Sequence, residues 1–225
     1  MPAFPRAVFV TGTDTGIGKT WIAAALVRAL ADAGYRVAAM KPVAAGFAPG
    51  TDMNDDVIAL RAAGNVDAPP GDCNPYAFAD AVAPHLAAAA RGVAIEMPRI
   101  VDAFERLRGC SDAVVVEGAG GALVPIDAQS DMLDVAAALR VPVLLVVGLR
   151  LGCLNHALLT ALAVQRRGLV LAGWIANEMP PGMPLAAQNI DALAERLGCA
   201  PITYVAPGAR PVFDAPRLAM LGFAR

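Results

Sequence analysis

Apolar and polar positions along this chain change period repeatedly. The run Val8-Phe9-Val10 is β-branched and aromatic, and it ends in a glycine-punctuated polar loop. After Lys19-Thr20 a stretch of good helix formers runs from Trp21 to Ala33 and is closed by Gly34. The pattern predicts strand, loop and helix in that order. A second strand is expected over Arg36 to Met40, stopped at Lys41-Pro42, and Gly46, Pro49 and Gly50 make the next segment a loop. Asn54-Asp55-Asp56 opens a short helix to about Ala63, in which either aspartate can be only a cap or first-turn acid. Gly64 to Gly71 reads as proline-rich connection, and Asn74 to Pro84 as irregular chain. Helices are predicted from Pro84 to Arg91 and from Pro98 to Arg108, the latter with Asp102 and Arg106 four apart on one face.

The second half repeats the alternation. Asp112 to Glu117 is a continuous apolar strand, as in a parallel sheet buried on both faces, and Gly118-Ala119-Gly120-Gly121 follows it. A helix over Asp131 to Arg140 precedes a strand over Val141 to Val147. Leu151-Gly152 opens a helix that passes through Asn155 and His156 to Arg167, with Gly168 as its stop. A strand from Leu169 to Ala176 ends in Asn177, Pro184 to Leu197 is helical, and Ile202 to Val205 is a last short strand ended by Pro207-Gly208. Arg210 to Arg225 shows no clear period and stays unassigned. Strands alternating with helices throughout predict an α/β fold: a mostly parallel sheet with helices on both faces, in one domain over residues 1–225.

Composition narrows the function classes. Apolar residues make up 57% of the chain and charged ones 17%, enough for a large core. A net charge of −2 argues against a nucleic-acid partner, which wants a basic surface. The four cysteines, Cys73, Cys110, Cys153 and Cys199, are far apart and form no metal-ligand spacing, so they read as reduced cytoplasmic thiols. Met1 to Arg6 has no apolar leader character, and the apolar run from Val141 to Leu149 is too short to span a bilayer. No membrane partner is expected. The chain carries two lysines, Lys19 and Lys41, against sixteen arginines. Lysine therefore survives only where a compact ammonium has a use, unless the arginine bias alone accounts for it.

Candidate chemistry begins at Gly12-Thr-Asp-Thr-Gly16-Ile17-Gly18-Lys19-Thr20. Glycines between a strand and a helix let backbone N–H groups converge on an anion at the helix N-terminus. Lys19 would reach the β- and γ-phosphates of a nucleotide, and the Thr20 hydroxyl would ligate Mg²⁺. The spacing departs from the usual G-x-x-x-x-G-K-[ST], because the first glycine position is held by Thr13 and Gly12 lies one residue earlier. An ordinary glycine-rich turn with an exposed lysine is the plainer alternative. Glu117 ends its strand where a nucleotide-binding protein often keeps a Mg²⁺ carboxylate, or it is a strand-end acid facing water. Gly12–Thr20, Lys41, Glu117 and Asn177 all follow strands, and open α/β sheets bind ligands outside those carboxyl ends.

Five motifs carry a resemblance. They are Gly12 to Thr20, Lys41-Pro-Val-Ala-Ala45-Gly46, Val116-Glu-Gly-Ala-Gly-Gly121, Leu151-Gly-Cys-Leu-Asn-His156 and Gly173-Trp-Ile-Ala-Asn177. Together and in this order they resemble the dethiobiotin synthetase family, with a P-loop NTPase-like fold, over most of the chain up to about Ile202. The resemblance implies ATP-dependent closure of a cyclic urea in biotin biosynthesis. The diamine 7,8-diaminopelargonic acid and CO₂ form a carbamate, ATP activates it as a carbamic–phosphoric anhydride, and the second amine displaces phosphate. It implies Mg²⁺ held by Thr20, Asp56 and Glu117, with Asp56 rather than Asp55 aligning to the family's acid. Lys41, Lys19 and Thr15 take the catalytic roles, Thr15 and Lys41 at the amine or carbamate. Gly16 to Trp21 and Gly118 to Gly120 would bind nucleotide. Asn177 and Glu178 would read the base, with Pro207, Gly208 and Ala209 lining its pocket.

The same resemblance places Ala45, Leu151, Gly152 and Asn155 at the substrate. The helix opening at Gly152 to Asn155 is a natural carboxylate site. In the family it comes from the partner subunit, which implies a homodimer with active sites at the interface. From the sequence alone Asn155 is an N-cap or early helix residue. Two departures stand out: Gly16 where some members carry glutamate, and Ala45 where a serine is common. The loss at Ala45 is one hydrogen bond, about 0.5–1.5 kcal/mol. Neither His85 nor His156 is expected to be catalytic. The competing class is a nucleotide-switched partner-binding ATPase of the septum-placing or DNA-partitioning type. Its loop begins Lys-Gly-Gly-x-Gly-Lys-Thr, and Asp14 stands here in place of that first lysine. A glutamine-dependent cobyrinate amidase would need a second, glutamine-hydrolysing domain for which 225 residues leave no room.

Overall fold

A computed structural model describes residues 6–47 and 50–224. The stretch before Arg6 that was expected to lack a leader, Pro49 in the expected loop, and Arg225 lie outside the described residues. The first strand, β1 (Arg6–Gly12), runs two residues beyond its apolar core at each end and passes through the glycine loop into α1 (Lys19–Asp32). After Gly34, β2 (Val37–Met40) follows, then a short extended piece, β3 (Val43–Ala45). Asn54 caps α2 (Asp55–Ala63), its side chain accepting the Asp56 N–H at 3.0 Å. The cap is therefore neither aspartate.

One helical turn, α3 (Pro70–Cys73), precedes β4 (Tyr76–Phe78). Then come α4 (Pro84–Ala90), α5 (Met97–Cys110), β5 (Ala113–Glu117), α6 (Met132–Leu139) and β6 (Val143–Leu149). The chain finishes with α7 (Cys153–Arg166), β7 (Leu171–Glu178), α8 (Ala186–Leu197), β8 (Thr203–Val205) and α9 (Ala215–Met220).

Six strands form one sheet in the order β2-β5-β1-β6-β7-β8, every neighbour pair parallel. The chain moves from β1 to one edge, returns through β5, and then builds outward on the other side from β6. The switch point lies over the carboxyl end of β1, where α/β sheets open a crevice for ligands. Register aligns the relevant strand ends: Val10 lies opposite Glu117, Gly12 opposite Val146, and Met40 opposite Val116.

Both faces of the sheet are covered. Val8, Val10, Val115 and Val146 face α1, α2 and the C-terminal segment. Phe9, Val114, Val116 and Val143 face α5 and α6, while Leu145, Trp174 and Ala176 face α7 and α8. The fully buried β5 bears out the reading of a continuous apolar strand.

Three features depart from expectation. β3 and β4 pair in parallel as a separate two-stranded sheet, Val43 opposite Tyr76. Pro42 ends the main-sheet pairing, but the chain stays extended and the Pro42 carbonyl accepts the Tyr76 N–H at 3.2 Å. Strands of three residues are too short for alternation to reveal. Second, α3 falls in and after the stretch read as connection, opened by Pro70 at its first position. Third, the unassigned C-terminus forms α9, and Phe213, Leu218, Leu221 and Phe223 bury themselves in the α1 layer. Arg106 meets Asp72 of α3, its Nε donating to Oδ1 at 2.8 Å.

α6 is held by a reciprocal cap. Asp131 Oδ1 accepts from Leu133 N at 2.9 Å and from Asp134 N at 3.3 Å, Asp134 Oδ2 accepts from Asp131 N at 2.8 Å, and Arg167 of the α7 end pairs with both acids. Asp131→Ala is expected to lower stability by about 1–2 kcal/mol. The check is a urea titration, in which the midpoint should fall and the slope should hold.

Candidate active site

β1 carries the chain into the loop and α1 takes it away, with Gly18 at the N-cap position in a left-handed conformation (φ 83°). A side chain at Gly18 would lie 2.5 Å from Asn177 Nδ2, so only glycine leaves room there. Asn177 is the penultimate residue of β7, and its Nδ2 donates to the Ile17 carbonyl at 2.8 Å. The loop is thus clamped from a strand 160 residues further on. Ile17 itself lies over Gly148 of β6, where any Cβ would meet it at 2.6 Å.

Inside the loop, Lys19 curls back and donates from Nζ to the Asp14 carbonyl at 2.8 Å. It is almost fully buried. Burial pulls its pKa down to about 8, against the opposing pull of Glu117. At neutral pH the ammonium still carries its charge, and an approaching phosphate would favour it further. Thr15 is exposed at the loop tip, and its N–H donates to Asp14 Oδ1 at 2.7 Å. The Asp14 carboxylate also pairs with Arg150, a contact that no spacing signalled.

The centre of the site is Lys41. Its Nζ lies 2.6 Å from Asp56 Oδ2 and 2.6 Å from Glu117 Oε1, and Thr20 Oγ1 donates to the same Glu117 oxygen at 2.9 Å. The strand-end acid does not face water: Glu117 is 0% exposed and Lys41 5%. Asp55 is exposed, whereas Asp56 turns inward. Burial works against the Lys41 charge, but the Glu117 and Asp56 carboxylates outweigh it and hold its pKa above the ordinary lysine value. Burial would raise Asp56 too, and Lys41 holds it below the usual carboxylate range. Burial pushes the Glu117 carboxyl up, with Lys41 pulling against it.

These residues suit a hard divalent cation. Glu117 Oε2 is buried and has no hydrogen-bond partner among the described residues, so it presents a free lone pair. A hydroxyl, two carboxylates and nucleotide phosphates are the oxygen donors that Mg²⁺ takes. Among the described residues no three His, Cys, Asp or Glu side chains gather into a self-sufficient metal cage.

Two cavities flank the loop. One, of about 280 Å³, is lined by Gly18, Trp21, Asn177, Glu178, Gly208 and Ala209. Of the expected Pro207–Ala209 trio, Gly208 and Ala209 line it. The Trp21 indole Nε1 donates to Ala209 O at 3.4 Å, and Glu178 is held in place by Tyr204 and by the Met183 N–H. The other cavity, of about 380 Å³, lies between Gly12, Thr15 and Gly121 on one side and His156, Leu159 and Thr160 of α7 on the other.

The glycines after Glu117 act differently from a free row of donors. Gly118 N–H is spent on Val10 O at 3.0 Å, Ala119 N–H reaches Met132 Sδ at 3.5 Å, and Gly120 lies beneath the Thr15 hydroxyl. Ala45 is in β3, its carbonyl held by Asn54 Nδ2 at 3.2 Å. Leu151, Gly152 and Asn155 are all exposed. Gly152 is the N-cap of α7, so Asn155 is an early helix residue with an exposed side chain. His85 is only half-buried, and the exposed His156 lines the second cavity.

Comparison with known proteins follows this geometry. The family model described as an AAA domain matches residues 6–206. An ATP-dependent dethiobiotin synthetase from Aromatoleum aromaticum is 48% identical over 223 residues, covering 97% of this chain and 99% of the relative. The chain belongs to the dethiobiotin synthetase family. A second member, from Janthinobacterium sp. (strain Marseille), is 48% identical across 96% of this chain and 94% of its own.

Solved structures extend the fold beyond this family. The septum site-determining protein MinD from Pyrococcus horikoshii, complexed with Mg-ADP, superimposes with a TM-score of 0.57 at 16% identity, covering 96% of this chain and 86% of that one. A ParA family ATPase from Chlorobium tepidum gives 0.52 at 14%, covering 97% and 90%. At such identities the likeness is one of P-loop NTPase fold alone.

Gly18→Ala tests the clamp between loop and β7. The left-handed backbone and the displaced Asn177 amide together cost on the order of 1–3 kcal/mol. ATP binding followed by calorimetry is expected to weaken about tenfold or more, while circular dichroism stays native.

Proposed function

We propose that this chain forms dethiobiotin from 7,8-diaminopelargonic acid, CO₂ and ATP, releasing ADP and phosphate, as an ATP-dependent cyclo-ligase of biotin biosynthesis. The observation that carries the reading is the Lys41 ammonium between Asp56 and Glu117, within electrostatic reach of Lys19 and the phosphate loop. Phosphoryl transfer needs positioning and charge neutralisation more than covalent help from the protein.

One substrate amine and CO₂ give a carbamate, and its oxygen attacks the γ-phosphorus of ATP, releasing ADP. The carbamic–phosphoric anhydride is then opened by the second amine, closing the urea ring and expelling phosphate. Lys19 and Lys41 would neutralise the negative charge gathered on the carbamate and transferring phosphoryl group. The Thr15 hydroxyl, at the mouth of the second cavity, would orient the reacting amine or carbamate. Thr20, Asp56 and Glu117 would hold Mg²⁺, which supplies further charge neutralisation at the β- and γ-phosphates. Asn177 and Glu178 would face the base, with Trp21, Gly208 and Ala209 around it.

A second copy of the chain completes the substrate side in this reading. Leu151, Leu159 and Leu162 of the α7 region are 96%, 57% and 46% exposed, and Leu123 across the second cavity is 56% exposed. Burying them in a homodimer would bring Gly152 and Asn155 of one protomer to the substrate carboxylate of its partner. The chain would work as one domain in the cytoplasm; among the described residues no helix is long and apolar enough to cross a membrane. The switched-ATPase reading shares the sheet, but Asp14 is bound to Lys19 and Arg150 where that class has its loop lysine.

Phosphate release with ATP, Mg²⁺ and bicarbonate is expected to depend on 7,8-diaminopelargonic acid, with dethiobiotin seen by mass; release indifferent to the diamine sinks the substrate assignment. Lys41→Arg is expected to fold and to lose most of its turnover, on the order of a hundredfold or more, because the larger planar guanidinium does not replace a compact ammonium in a site where Lys41 is only 5% exposed. Near-normal kcat in that variant would refute the role given to Lys41.

A further inference from the structure

We propose that Lys41 and the divalent cation exchange places on Asp56 and Glu117, so that arrival of the metal is what releases the Lys41 ammonium toward the reacting groups. The inference rests on reading Thr20, Asp56 and Glu117 as the metal's donors.

The oxygens needed by the metal are those the ammonium holds. Lys41 Nζ takes Glu117 Oε1 and Asp56 Oδ2, each at 2.6 Å, and the Thr20 hydroxyl is bonded to that same Glu117 oxygen. Mg²⁺ binds carboxylate oxygens at about 2.0–2.1 Å and demands near-octahedral geometry. An ammonium left on the same two oxygens would stand a few ångströms from a double positive charge and block its coordination sphere. The ammonium and the metal therefore compete for the same two oxygens.

Glu117 favours a swap of one cation for another over simple departure of the ammonium. It is 0% exposed, and an uncompensated carboxylate there carries a heavy desolvation cost. A cation must stand on it at every stage, either the ammonium or the metal. Glu117 Oε2, buried and without a partner among the described residues, gives the incoming metal a first foothold before Oε1 is given up.

The movement falls to the side chain. The Lys41 N–H is held by Cys73 O at 2.7 Å, its carbonyl accepts from Asn74 Nδ2 at 2.6 Å, and Pro42 follows. With the main chain pinned, rotation about the four-carbon stem is the available path. The end of β2 lies beside β5, next to β1 and its loop, so the stem sweeps toward the loop mouth. The consequence is an order of events. The charge that would stabilise the carbamate is delivered only once the metal is seated.

The two-lysine composition makes the test direct. With ¹⁵N-lysine, the chain has two labelled side-chain ammonium groups, assigned with Lys41→Arg. In the presence of ADP throughout, MgCl₂ is titrated in. The expected result is a shifted Lys41 Nζ signal with faster proton exchange with water. In parallel, Mn²⁺ binding to the ADP complex is followed by EPR of the free ion. Lys41→Met is expected to bind Mn²⁺ about tenfold more tightly, ~1.4 kcal/mol, because the competing cation is gone. The NMR arm uses the natural chain and does not depend on the variant folding. A Lys41 signal that stays fixed while Mg²⁺ binds overturns the exchange and leaves the metal site standing, as does unchanged or weaker Mn²⁺ binding in a folded Lys41→Met. Failure of the natural chain with ADP to bind either cation overturns the exchange and the metal assignment together.

Discussion

The buried contact between Lys41 and Glu117 is the constraint around which the catalytic end of the sheet is arranged. A carboxylate with no exposure at the end of a central strand must have a cation on it, and removing one partner of such a pair costs roughly 3–5 kcal/mol. The parallel register brings that cation from the end of β2, next door to β5. Asp56, delivered by the first turn of α2, adds the second negative charge, and Thr20 adds a hydroxyl from the first turn of α1. A buried ion pair adds little net stability by itself, because the desolvation of both charges offsets their attraction. In the proposed reaction its use would be electrostatic work on a ligand that arrives with phosphates.

The phosphate loop needs a comparable degree of support, and gets it from strands rather than from its own sequence. Asn177 of β7 holds the Ile17 carbonyl, Gly148 of β6 admits the Ile17 side chain, and Arg150 just beyond β6 grips Asp14. Asp14 in turn accepts from Lys19 and from the Thr15 amide. A loop fixed in this way meets a phosphate without first being ordered, which spares part of the entropy of binding. The shifted glycine spacing at Gly12 is compatible with this geometry because Gly12 has its own reason to be glycine: a Cβ there would meet Ile17 at 2.8 Å and the Lys19 stem at 3.0 Å.

The fold is shared with MinD and ParA-type proteins at low identity, and by itself it does not distinguish a ligase from a switch. The distinction lies in what stands around the loop. Here the position of the early loop lysine is held by an aspartate tied to Lys19 and Arg150. Relatives at 48% identity along nearly the whole chain place it in its family.

Much of this was legible in the sequence, for local reasons. An apolar run such as Val114 to Val116 suits a strand buried on both faces, and glycine with lysine and threonine between strand and helix presents donors to an anion wherever it occurs. Lys41 stands out because the chain has only two lysines. Other features depend on contacts between distant segments. The three-residue strands β3 and β4 exist only as each other's partner, and α9 is a helix because its apolar side chains find the α1 layer. Whether Asp55 or Asp56 turned inward was settled by where Lys41 stands, and whether Glu117 faced water by the packing above β5. The sequence determined the alternation of elements and the kinds of chemistry available at their ends, since both follow from periodicity and residue type. The tertiary structure decided which ends meet, because a burial, an ion pair or a clamp is a property of two segments and is written in neither one alone.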